Sequence, residues 1–298
     1  MKKLRFEIFY LLFCSFLIYG AAQFSLKKTD GFSIASLESQ FPSAPEWNIE
    51  DLAPEEKVEL DKALSQPYHY LGFGGQCYAF ESQDQKYVIK FFKHRFNRFQ
   101  LKLIENSLLK PFGFYKIYNR FLSKHVRDFT SYKIAYDLLK KQTALLYIHL
   151  NKTSHLHKKL TLSDKIHIFH EIDLDQTEFL LQKKAQLVHP WIEEKIKEGN
   201  LTAIRKGIRS IFELIVSRCK MGIYDEDPKI HCNIGLLEEE AIFIDVGRFK
   251  KDDTRTNSSI YLQDLQNITL RFKNELGKKH PELLEIFEEE LAKAGGPS

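Results

Sequence analysis

The feature that most constrains this chain is a short apolar strand running into Asp-x-Gly, at Phe243-Ile244-Asp245-Val246-Gly247. Asn233 stands upstream of it, in an acid-rich loop that also holds Asp225 and Asp227. Much earlier comes a glycine turn, Leu71-Gly72-Phe73-Gly74-Gly75, followed by the strand-like run Tyr87-Val88-Ile89-Lys90-Phe91. Each piece is weak alone. In this order they are the kinds of parts needed to hold a nucleotide triphosphate and its metal.

The chemistry behind each residue type is specific. Glycines at 72, 74 and 75 let backbone N–H groups approach phosphate oxygens with no Cβ in the way. The turn reads Gly72-x-Gly74-x-x-Cys77 and lies between two strands, whereas a dinucleotide fingerprint leads from a strand into a helix. No G-x-x-x-x-G-K-[ST] occurs, so a P-loop is excluded on pattern. Lys90 lies among Val88, Ile89, Phe91 and Phe92, where an ammonium is costly to bury without an anionic partner such as a phosphate. Asp227, Asn233 and Asp245 carry the hard oxygens that magnesium prefers, and a loop carboxylate can deprotonate a hydroxyl nucleophile. The competing readings are a plain hairpin turn, an edge-strand lysine and turn-forming acids.

On these motifs the chain resembles the protein-kinase-like superfamily, over about residues 68 to 250. Leu71-Gly72-Phe73-Gly74 resembles the glycine-rich loop and Val88-Ile89-Lys90 the V-A-I-K strand. Tyr224-Asp225-Glu226-Asp227 through Asn233 resembles the catalytic loop, and Ile244-Asp245-Val246-Gly247 the metal-binding D-F-G. The resemblance implies an α+β, two-lobed kinase-like fold with an antiparallel-sheet N-lobe and a reduced helical C-lobe. It implies ATP and Mg2+ as cofactors, with Gly72, Gly74, Gly75 and Lys90 on the phosphates. Asp227 would be the base, and Asn233 and Asp245 the metal ligands. The acceptor would be a protein or a small molecule.

The sequence departs from the family in several places. Asp227 and Asn233 stand six apart where the family has five, and Cys232 fills the expected slot. Asp225-Glu226 replaces His-Arg, which makes Asp225 a rival for the base. No A-P-E follows Gly247, and the 51 residues left are too few for a full activation segment and helical lobe. A carboxylate partner for Lys90 is not evident, Glu105 and Asp137 being poor candidates. These departures fit an atypical phosphotransferase, or a pseudokinase that binds without turnover. A third alternative is a membrane-peripheral interaction protein with no nucleotide site.

The ends of the chain bear on location. Lys2, Lys3 and Arg5 precede an apolar run from Ile8 to Ala22, closing on Gly20-Ala21-Ala22-Gln23. That pattern is a signal peptide or a membrane anchor over residues 1–22, with a buried first helix as the alternative. A membrane-associated or secreted protein is therefore expected in preference to a cytoplasmic one. Export sits uneasily with ATP chemistry in bacteria. An anchor of unusual topology, a host cell, a eukaryotic lumen or binding without catalysis would resolve the conflict. Four N-x-[ST] sequons, at Asn151, Asn200, Asn257 and Asn267, matter only in a eukaryotic secretory route.

The expected organisation is a polar linker over 23–60, an N-lobe over 61–190 and a helical C-lobe over 191–298. From Lys90 to Arg127 ten Lys and Arg residues face the single acid Glu105, with Phe and Tyr between them. This basic aromatic insertion, about 94–127, suits an anionic membrane surface or an acidic partner, or else an ordinary solvated face. The net charge of +4 is too small to point to a specific nucleic acid. Three Cys outside the apolar segment (Cys77, Cys219 and Cys232) lack CxxC spacing, so buried free thiols are expected.

Locally, the pattern predicts a helix near Pro54–Ser65, strands near 68–71, 77–82 and 87–92, and a turn at Gln83-Asp84-Gln85. It predicts a helix over 131–150, strands at 165–169 and 178–182, and the clearest helix over 201–219. That helix buries one stripe from Leu201 through Ile204, Ile208, Ile211, Phe212 and Ile215 to Cys219. A strand at 241–244 and helices over 261–276 and 281–291 complete the reading.

Overall fold

The computed structural model describes residues 2–38, 43–94 and 114–295. It is a mixed α+β structure. The helices are α1 Lys2–Thr29, α2 Pro54–Leu64, α3 Phe114–Leu138, α4 Val188–Lys197, α5 Leu201–Lys220, α6 Ser258–Lys279 and α7 Leu284–Gly295. The strands are β1 Tyr68–Phe73, β2 Cys77–Ser82, β3 Tyr87–Phe92, β4 Leu145–His149, β5 Lys159–Ser163, β6 Phe169–Asp173 and β7 Phe179–Lys183. Five short ones follow: β8 Gln186–Leu187, β9 Ile223–Asp225, β10 Ile234–Leu237, β11 Glu240–Phe243 and β12 Phe249–Lys251.

One seven-stranded sheet dominates, in the order β4-β7-β3-β2-β1-β5-β6. Its pairings are antiparallel except β1 with β5. Alternation sorts its side chains. Ile89, Phe91, Phe179 and Leu181 enter a cluster with Phe32, Leu37, Leu60 and Phe80. Phe92 and Leu180 enter a second cluster with residues of α3, α5, α6 and α7. Burial on both faces explains why β3 reads as an almost unbroken apolar run. Ile49 and Leu52 pack against both clusters.

In α5 the expected stripe from Ile204 to Cys219 is buried, but Leu201, at the helix start, is exposed. The Asn200 carboxamide accepts a hydrogen bond from the Ala203 N–H at 3.0 Å and caps that end. Gly207 lets α4 close in, because a Cβ there would collide with the Trp191 ring.

Two expected elements are corrected. Residues 131–150 are not one helix. The helix ends at Leu138, a single turn occupies Lys140–Thr143, Ala144 takes a left-handed φ of 48°, and β4 follows. The strand expected at 165–169 is a turn. Asp164 accepts from the Ile166 and Ile168 N–H groups at 3.0 and 2.9 Å, and the strands lie on either side of it.

Helix α1 is not buried. The large apolar side chains from Phe6 to Leu26 are exposed, and a span from Phe6 to Thr29 has a mean hydropathy of 1.6. At 1.5 Å per residue those 24 residues reach about 36 Å, against a bilayer core of about 30 Å. A helix of this kind suits a signal peptide or an anchor. Its far end is docked. Asp30 accepts from the Tyr70 hydroxyl and from Lys165, both at 2.8 Å, and the Gly31 carbonyl accepts from the Tyr78 hydroxyl at 2.6 Å. Phe32 and Leu37, within the stretch expected as linker, are buried against the sheet.

Candidate functional site

The site forms where β3 meets the end of β11. Lys90 lies mid-strand on the face that carries Phe92 and Leu180, and it is half-buried. Its ammonium donates to the carbonyl of Ile244, the residue before Asp245, and to the side-chain oxygen of Gln182 at 3.1 Å. Asp245 is exposed, and its carboxylate accepts from the Gly247 N–H at 3.2 Å. Burial pulls the Lys90 ammonium below its ordinary value, and the Asp245 carboxylate opposes that shift. Among the described residues, no carboxylate lies within ion-pair distance of Lys90. Asp137 instead pairs with Lys133, and Glu105 lies outside the described residues.

The glycine turn lies over the same place. Gly72 sits at a register shift in the β1–β2 ladder, and the Gly74 N–H closes the turn onto the Cys77 carbonyl at 2.9 Å. A Cβ at Gly72, Gly74 or Gly75 would meet nothing within 4 Å, so the space above the turn is open. Gln76 reaches across. Its amide donates to the Gly247 carbonyl at 3.3 Å, and its oxygen accepts from the Tyr132 hydroxyl. A side chain at Gly247 would collide with both groups, which is the physical reason for glycine there. From α3, the Ser131 hydroxyl donates to the Val246 carbonyl and accepts from the Phe249 N–H, both at 2.5 Å, while Asp128 pairs with Arg248 at 3.1 Å.

The acid-rich loop hangs from two ladders. β9 pairs with β12, and β10 pairs with β11. Asn233 is buried just before β10. Its carbonyl accepts from the Ile244 N–H at 2.8 Å, and its amide donates to the Asp227 carbonyl at 2.6 Å. Asn233, Asp227 and Asp245 are thereby held in one neighbourhood.

The two candidate bases differ in setting. Asp227 is half-buried and pairs with the exposed Lys229 at 2.8 Å. Asp225 is buried, pairs with the buried Arg218 at 3.2 Å, and accepts from the Asp227 N–H at 2.9 Å. Burial pushes the Asp225 carboxyl up, and Arg218 opposes it. Its bonding capacity is spent on holding the loop.

Sequence reading gave no signal for Gln182, Tyr132, Ser131 or Gln76, which are neutral residues with no diagnostic spacing. All four cysteines are free thiols. Cys232, expected to be buried, is exposed, and its thiol donates to the Asn233 side-chain oxygen at 3.1 Å. No cluster of three His, Cys, Asp or Glu suited to a metal occurs among the described residues. A cavity of about 350 Å³ adjoins the loop, lined by Tyr224, Lys229, His231, Asn267, Arg271 and Phe272 among others. Of the basic insertion, residues 95–113 lie outside the described residues, whereas Arg120 and Arg127 are exposed on α3.

No family model matches the chain. No curated protein matches it. Two solved structures of WbdD do. A medium-resolution structure, described as a bifunctional kinase-methyltransferase, is 13% identical, with a TM-score of 0.34, over 78% of this chain and 47% of that one. A crystal structure of WbdD at 2.2 Å is 13% identical, with a TM-score of 0.32, over 78% of this chain and 46% of that one. The chain spans just under half the length of the solved structures it matches.

Proposed function

We propose that this protein is an ATP- and Mg2+-dependent phosphotransferase of atypical protein-kinase-like type, with the sheet and the C-terminal helices as its two lobes. One observation carries the reading: the Lys90 ammonium bonds to the carbonyl beside Asp245, across 154 positions of sequence. A lysine and the backbone next to a carboxylate, far apart in the chain, are thus joined beside an open glycine turn.

Each residue then has a task. The backbone of Gly72, Gly74 and Gly75 would line the phosphates, and Lys90 would hold the α- and β-phosphate oxygens. Asn233 and Asp245 would hold the metal. The donor set fits magnesium, which is bound through one or two protein oxygens plus phosphates and water. Asp245 is exposed and has no ion pair among the described residues, so its carboxylate is open to a cation. When bound, the ion would offset charge on the phosphates. Asp227, the more accessible carboxylate, would orient the acceptor hydroxyl and take its proton. The acceptor is a protein or a small molecule. The exposed α1 and the basic α3 favour work at a membrane, with the chain anchored or exported.

A thermal-shift titration with ATP, with and without Mg2+, and a phosphate-transfer assay test the proposal. Binding should require the metal, and Asp245→Ala should lower transfer at least 100-fold while the protein stays folded. Wild-type protein that shows no shift with ATP rejects it. Among the described residues Lys90 has no carboxylate partner, which favours a second reading, a pseudokinase. That reading expects nucleotide binding without metal and no transfer.

A further inference from the structure

We propose that Gln182 is the residue that positions Lys90 for phosphate, doing with a neutral amide what an acidic partner would otherwise do. This rests on the nucleotide-binding reading above. Lys90 stands opposite Leu180 in the β3–β7 ladder, and Val88 stands opposite Gln182. Side chains alternate along a strand, so Lys90 and Gln182 are diagonal neighbours on one face, within reach of two long side chains.

The amide of Gln182 has only one way to sit. It is buried, and its NH2 donates to the Phe243 carbonyl at 2.8 Å and to the Thr143 carbonyl at 2.5 Å. Turning the amide over would aim its oxygen at two carbonyls and its N–H groups at an ammonium. The oxygen is therefore fixed toward Lys90, which donates to it at 3.1 Å. The Phe243 carbonyl belongs to the strand that leads into Asp245. A single side chain thus grips both the lysine and the strand carrying the acid, and sets the gap between them. Being uncharged, it leaves the ammonium's charge unneutralised for an incoming phosphate.

Gln182 acts through its bond to Lys90, so its removal should be felt through the phosphates alone. The test compares ATP with adenosine, which lacks them, by calorimetric titration of wild type and Gln182→Met in Mg2+ buffer. Gln182→Met should weaken ATP at least tenfold, and adenosine by less than twofold. Turnover should show the same asymmetry, as a raised KM for ATP at nearly constant kcat. Gln182→Asn keeps the amide but is one methylene short of Lys90. It should show the same selective loss, and it keeps the test decisive if Gln182→Met does not fold. Equal weakening of ATP and adenosine, or no weakening of ATP, overturns the proposal and leaves Gln182 a structural tie. Wild-type protein that binds no ATP removes the nucleotide reading itself, a failure visible before any variant is compared.

Discussion

At the scale of single residues, Asp225 and Arg218 form an ion pair shut away from water. Both are buried, and each is the other's ion partner. Removing one partner of such a pair strands the other charge. Asp225→Ala should therefore lower unfolding free energy by about 3–5 kcal/mol, measured by urea titration at pH 7. The double variant Arg218→Leu/Asp225→Leu should recover much of that loss. A single variant within about 1 kcal/mol of wild type would mean that Arg218 finds another partner. Asp225 also shows what the sequence left unread. Two acids in one loop, Asp225 and Asp227, look equivalent as letters. Only burial against an arginine seven positions earlier separates the one that braces the loop from the one that meets solvent.

At the scale of elements, α5 and α7 are clamped by Glu290. Its side chain is fully buried, and it accepts from Arg209 at 2.7 Å, Arg205 at 3.0 Å and Lys293 at 2.8 Å. The hydrogen bond from Arg209, helped by Lys293 and Arg205, holds the carboxyl at about 2. A folded-state value below the unfolded one means stability that is present above about pH 4.5 and lost as pH falls toward 2. Glu290→Gln should cost about 1–3 kcal/mol at neutral pH. The gap to wild type, read from urea midpoints, should narrow as the buffer is taken from pH 7 to pH 3. A gap that does not change with pH would assign the loss to packing. Elements were most legible where one period dominated, as in β2 and α5. They were least legible where periods changed without a Gly or Pro. Ala144 breaks the 131–150 pattern by a left-handed turn that alanine rarely takes, and no letter marks it. Around Asp164 the apolar residues Ile166 and Ile168 read as a strand, but the carboxylate gathers their N–H groups into a turn.

At the scale of the whole molecule, the fold brings the glycine turn, β3 and the strand before Asp245 to one place. The order of the motifs pointed to β3 and the strand before Asp245 lying together, and Lys90 does bond to the carbonyl of Ile244. The supporting contacts were not legible, because Gln76, Tyr132 and Gln182 act through hydrogen bonds that follow from three-dimensional packing alone. The N-terminal helix extends beyond its apolar core, since Lys27 and Lys28 continue the helix that the 8–22 run begins. Full-length protein should co-float with lipid vesicles, and protein lacking residues 2–22 should stay in the soluble fraction. Equal flotation of the two would shift membrane affinity onto the basic face of α3.

The join between α1 and the sheet has a consequence for reach. Tyr70 and Tyr78 flank the glycine turn and fasten Asp30 and Gly31 directly to it. There is no leash. If α1 is embedded in lipid, the turn rides at a fixed height above the bilayer, and a lipid-borne acceptor would have to arrive by lateral diffusion within the plane. Encounter would then depend on molecules per unit area of membrane, and diluting the same number of proteins and acceptors into more lipid would slow them even at constant bulk concentration.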